Sequence, residues 1–300
     1  MTLRSLPLLV LALTTSLWAQ AKYQAGPAGE LEVRYGMPLY RDALIEQAKP
    51  GVDWRMGANG PTVMVTTAAL VFDDGVIFPG SYTLTAQCKD ETRWDLRFVE
   101  GVQQGPGGGQ GRNSPSLPSL SLVRSRLEKE PDHTKKLSIE LLRASDKDLA
   151  KLNGARFQLR FGPHQLASDF LCVPAVKKSL KLGKTAFEME SLKYPLLPKF
   201  EEALLGKAQN SLPVARLTLT KDSSSTPLLL ESGEEPTLSF PAWNRTVKGK
   251  RATGQSNTKA LDVQLKAKLL SLKLGTTALT FELDESLLSK VESGGTTPSK

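Results

Sequence analysis

The sequence predicts an all-β protein: an antiparallel β-sandwich, built as two sandwich-like domains with one or two short helices. Three observations predict it. Apolar residues alternate with polar ones at period two along most of the chain, as in half-buried antiparallel strands. The alternating runs are short and punctuated by Gly and Pro, as sandwiches require. The second half repeats this pattern with fewer aromatics.

The chain opens on a segment of another kind. Arg4 supplies a positive start, Leu6 to Leu17 is a short apolar run, and Ala19-Gln20-Ala21 fits a cleavage site. Residues 1–21 are therefore expected to be a secretory signal, cut near Ala21, which leaves a periplasmic or extracellular chain. The run is too short to hold the protein in a bilayer, so no stable membrane anchor is expected.

Residues 22–175 form the first expected domain. Leu31, Val33 and Tyr35 alternate with polar residues; so do Tyr82, Leu84 and Ala86, then Trp94, Leu96 and Phe98. Leu137, Ile139 and Leu141 follow, then Phe157, Leu159 and Phe161. The β-branched run Thr62 to Thr67 predicts one more strand. Arg41 to Ala48 reads as a short helix. Residues 101–121, rich in Gly, Pro and Ser, read as a flexible insertion between strands. Its Gly run leads into Ser-Pro-Ser-Leu-Pro rather than a helix, so it is no phosphate loop.

Residues 176–291 form the second expected domain. Leu217 with Leu219, Leu261 to Leu265, Leu270 to Leu274 and Leu279 to Leu283 read as separate strands, and Pro198 to Lys207 as a helix. There is an internal echo. Phe157-Gln-Leu-Arg-Phe-Gly162 and Leu270-Ser-Leu-Lys-Leu-Gly275 each lead into another alternating run, and Ser179-Leu-Lys-Leu-Gly183 begins alike. Each reads as a hairpin; either the second domain is a diverged copy of the first, or hairpins of this kind simply look alike. Residues 292–300 read as a disordered tail.

Composition excludes several classes. The two His nearly rule out a His-rich metal site, and the chain has no Walker loop, His-Glu-x-x-His or Gly-x-Ser-x-Gly. No metal and no cofactor are expected. Cys88 and Cys172 each sit in phase with the apolar face of a strand. That fits a disulfide between core strands, and equally two buried thiols.

The order Tyr35-Gly-Met-Pro38, Trp54-Arg55-Met56-Gly57-Ala58-Asn59, Phe78-Pro79-Gly80-Ser-Tyr82 and Arg93-Trp-Asp-Leu96 resembles the bacterial domain-of-unknown-function 2911 family. The resemblance covers about residues 31–175, less the insertion. Leu39-Tyr-Arg-Asp42 stands where the family has a Gly-Arg step, and Gly60 where it often has Glu. The resemblance implies an exported β domain; it implies no activity and carries over no catalytic residue.

Read physically, Trp54 is a large apolar group, and Gly57 and Asn59 tolerate positive φ. Pro79-Gly80 signals a turn before the Tyr82 strand. The corner reads as architecture first, with Arg55 and Asn59 as ligand-binding candidates. His133 and His164 read as loop histidines, and Asp73-Asp74 as turn caps. Arg245, Lys248, Lys250, Arg251 and Lys259 follow one another with no acid between. They read as a solvated loop, the alternative being contact with an anionic envelope polysaccharide, for which Lys248, Lys250 and Arg251 are the ligand-binding candidates. The net charge of +8 comes without interleaved aromatics, so nucleic acid is not expected. The expected function is an exported, non-catalytic binding or structural component of the bacterial cell envelope. The alternative is an envelope hydrolase acting on a glycan or ester.

Overall fold

The computed structural model describes residues 18–41, 50, 53–58, 60–72, 75–89, 93–101, 120–126, 128–195, 211–221, 223–231, 235–284 and 287. Among them the strands form three antiparallel sheets. The protein is all-β.

The first sheet runs β1 (Trp18–Gln24), β2 (Glu30–Gly36), β4 (Thr62–Thr66), β7 (Gly80–Cys88), β8 (Arg93–Glu100) and β9 (Leu120–Arg126), with β3 (Asp53–Arg55) also paired to β7. The second runs β10 (Glu128–Arg143), β11 (Gly154–Val173), β5 (Ala69–Phe72) and β6 (Gly75–Ile77). The third contains β12 (Ala175–Leu182), β13 (Thr185–Leu192), β14 (Leu212–Leu219), β15 (Ser225–Glu231), β16 (Thr237–Phe240), β17 (Arg245–Lys266) and β18 (Leu269–Glu282), in chain order.

Alternation decides which residues go inward. Val33, Tyr35, Met64, Leu84 and Phe98 of the first sheet meet Ile139, Phe157, Leu159 and Phe170 of the second in one core. The third sheet curls around another core with Phe187, Leu217, Leu228, Phe240, Leu272 and Phe281. It folds back on itself where Leu261 N–H donates to the Tyr194 carbonyl at 2.8 Å. The second sheet serves both cores. Leu70, Phe72 and Cys172 point into the first, while Ala69, Val71, Val76, Leu171 and Val173 point into the other. Successive strand residues face opposite ways, so β5 and the end of β11 are apolar on both faces. Each large side chain buried this way contributes about 1.5–3 kcal/mol.

Several expectations are corrected. Phe157 to Phe170 is not a hairpin but part of the single strand β11, bent at Gly162 (φ +61°). Leu270 to Leu283 likewise lies mostly in one strand, β18, bent at Gly275 (φ +57°). In both cases the partner strand shifts register opposite the bend, as bulges do. Only Gly183 (φ +62°) turns a true hairpin, between β12 and β13. Leu217 and Leu219 end β14 rather than begin a strand.

Both helix expectations, the insertion and the tail fall largely or wholly outside the described residues. A short helix not read from the sequence, α1 (Lys147–Lys151), is capped by Asp146, whose side chain accepts from the Asp148 and Leu149 N–H groups at 2.9 Å. The expected cleavage position after Ala21 falls inside β1, which pairs with β2 along its full length.

Candidate functional site

The corner around residues 54–60 is assembled by close backbone approach. Gly36 faces the Ala58 carbonyl so tightly that a Cβ would stand 1.9 Å from its oxygen. Gly57 adopts φ +118°, a conformation that disfavours any side chain. Thr62 Oγ1, fully buried, donates to the Met56 carbonyl. Met56 is itself completely buried. Trp54 is only half-buried and lies between Trp94, edge-on at 6.1 Å, and Phe161 at 5.7 Å. The Tyr35 hydroxyl donates to the Ile139 carbonyl and accepts from its N–H, at 3.2 and 3.0 Å, tying the two sheets together. Arg55 pairs through its backbone with Thr85; its side chain, and all of Asn59, lie outside the described residues. So do Asp73-Asp74 and the side chain of His133.

A family model described as "Protein of unknown function (DUF2911)" matches residues 18–154. Over these residues, a little under half of the chain, the protein is similar to the DUF2911 family. No curated protein and no solved structure matches the chain. The DUF2911 segment begins at the first residue of β1 and ends at the first residue of β11. Its own core is therefore completed by a strand beyond it.

Next to the DUF2911 corner, Met56, Trp94, Leu96, Phe157, Leu159 and Leu166 line a cavity of about 20 Å³. Ala86, Ala167 and Ser168 complete its walls, which are almost entirely apolar. His164 is half-buried within β11, not in a hairpin turn, with Tyr40 6.3 Å away. The Tyr40 ring lies directly over Gly162, where a Cβ would approach it to 2.2 Å.

Cys88 and Cys172 are not joined by a disulfide; both are buried. Burial pushes the Cys172 thiol up to about 12, so it is neutral and unreactive at ordinary pH. Among the described residues, no cluster of His, Cys, Asp and Glu could hold a metal ion.

The turn Phe78-Pro79-Gly80 is fastened from both halves of the chain. Tyr82 donates to the Phe78 carbonyl at 2.6 Å, and burial raises its pKa far above the usual phenol. Arg216 of β14 reaches across to this turn. It donates to the Pro79 carbonyl at 2.9 Å, ion-pairs with Glu190 at 2.6 Å and Glu100 at 3.2 Å, and lies 5.0 Å over the Phe78 ring. Burial works against the Arg216 charge, but Glu190, Tyr82 and Glu100 outweigh it and raise its pKa. Nothing in the spacing of residues 79, 100, 190 and 216 signals this meeting.

The basic run is not a loop. Arg245, Lys248, Lys250, Arg251 and Lys259 all lie on β17, the first four on its half paired with β16 or β18. Lys248, Lys250, Arg251 and Lys259 are exposed. Lys248 bonds to exposed Glu235 at 2.7 Å, and this pairing raises the lysine pKa.

Proposed function

We propose that this is an exported, non-catalytic β-sandwich protein that acts by binding, with the cationic face of β17 directed at an anionic envelope polysaccharide. The observation that carries the reading is the placement of Lys248 and Lys250. Residues two apart on a strand share a face, so both ammonium groups project together from a hydrogen-bonded ladder. Lysines on a paired strand meet a polyanion without the backbone-ordering cost a loose loop incurs, and the polyanion takes the place of the exposed Glu235 carboxylate at Lys248. The family corner supports the reading from the other side. Tyr35, Thr62 and Tyr82 spend their hydroxyls on backbone carbonyls of the fold.

The test is retention of the processed protein on an immobilised carboxylated polysaccharide. Retention should fall as salt rises through about 0.1–0.5 M, where the Debye length shrinks below ~10 Å. The K248S/K250S/R251S variant should elute earlier at every salt concentration. Salt-independent retention, or equal retention of the variant, overturns the reading. Release of shortened polymer would favour a hydrolase.

A further inference from the structure

Trp18, Ala19, Gln20 and Ala21 pair with Gly36, Tyr35, Arg34 and Val33, as the outermost strand of the first sheet. Ala19 and Ala21 pack on the core from the inner face, while Trp18 and Gln20 stand outward. The Trp18 indole lies over Gly60, where a Cβ would come within 2.6 Å of the ring. A cut after Ala21 consumes one water and yields the Ala21 carboxylate and the Lys22 α-ammonium. It removes these four residues and leaves Lys22–Gln24 paired with Glu30–Glu32.

The edge of Val33–Gly36 then lacks its strand, and backbone edges of this kind template another chain. The vacated slot has a defined shape. Opposite Val33 and Tyr35 the positions facing the core were held by the methyl groups of Ala21 and Ala19, and the Gly60 surface by the flat Trp18 ring. At one end stands the new Lys22 α-ammonium, created by the same cut. The lost segment ran with residue 21 against residue 22, so any replacement in that register and direction places its C-terminal end against this ammonium. A continuous chain would collide with Lys22 there, whereas a terminal carboxylate would form a charge-assisted contact.

We infer that the processed chain captures the free C-terminus of an extended peptide by strand addition to β2. Its recognition pattern is a small residue at the last and third-from-last positions and an aromatic one at the fourth from last. This inference rests on the export reading, and the two are tested separately. The mass of the exported protein tests export: a chain starting at Lys22 supports the inference, and any other start overturns it. The slot is tested on a chain that begins at Lys22, using Leu-Trp-Ala-Gln-Ala as the free acid and as the amide. The free acid should shift the amide resonances of Val33 to Gly36 and bind about tenfold more tightly than the amide. Acetylating the Lys22 α-amine should erase that difference. Equal binding of acid and amide overturns the inference. So does the absence of shifts in residues 33–36 at millimolar peptide, or dimerisation through β2 in place of peptide binding.

Discussion

The Arg216 guanidinium reaches Glu190, whose side chain is 3% exposed. Without Arg216 this buried carboxylate keeps only a 3.9 Å contact with the exposed Lys177, which is costly, whereas a pair replaced together by apolar residues often is not. Arg216→Ala should therefore lower stability by about 3–5 kcal/mol, and R216M/E190M should recover most of the loss. Denaturant midpoints check both; a double variant no better than R216A would contradict the argument. Trp54 and Met56 divide the corner differently from the sequence expectation. Met56, fully buried, should cost about 2–5 kcal/mol on truncation to Ala, and the half-buried Trp54 less than the 3–5 kcal/mol of a buried Trp. Cys172 adds a pH dependence. Its folded pKa is raised, so its stabilising effect is complete below the unfolded value of about 8.5 and is lost as pH rises toward about 12. Cys172→Ala should flatten that alkaline decline in a midpoint-against-pH series.

At the scale of the element, β11 and β18 show how one glycine converts a presumed hairpin into a bent strand. Both bends sit at left-handed φ, which costs an ordinary residue about 1–2 kcal/mol. Gly162 also makes room for the Tyr40 ring. Gly162→Ala should therefore destabilise by more than the conformational cost alone, and adding Tyr40→Ala should relieve the excess. A strictly additive double variant would show that ring and glycine do not interact. The motif that reads as a turn in sequence is chemically the same in both outcomes. Which one forms depends on whether a partner strand lies alongside, as β10 and β17 do. Edge strand β12 carries exposed Lys177, Lys178 and Lys181, which discourage pairing with another chain.

For the whole molecule, the shared second sheet makes the two cores interdependent. Separating the halves would expose Val71, Val76, Leu171 and Val173 on one side and break the Arg216 contacts to Pro79 and Glu100. The protein should unfold as one unit. A variant retaining Trp94 alone reports the first core, and one retaining Trp243 alone reports the other. Their denaturation midpoints should coincide once each is referred to its own calorimetric stability. Two separated transitions would show independent domains.

The sequence by itself determined the strand class, most strand positions of the first half and the family corner. These rest on period-two alternation and on local turn chemistry, both written in neighbouring residues. It also held the N-cap at Asp146, in Ser-Asp-Lys-Asp, a signal that was present but outweighed by the surrounding strand pattern. Only the tertiary structure decided that β5 is buried on both faces, because Ala69 to Phe72 shows no alternation to read. It alone placed Arg216 at Pro79 and Glu190, residues far apart in the chain that meet only when two sheets pack. And it alone set Trp18 to Ala21 in a strand, because pairing with β2 depends on a partner edge that no local pattern records.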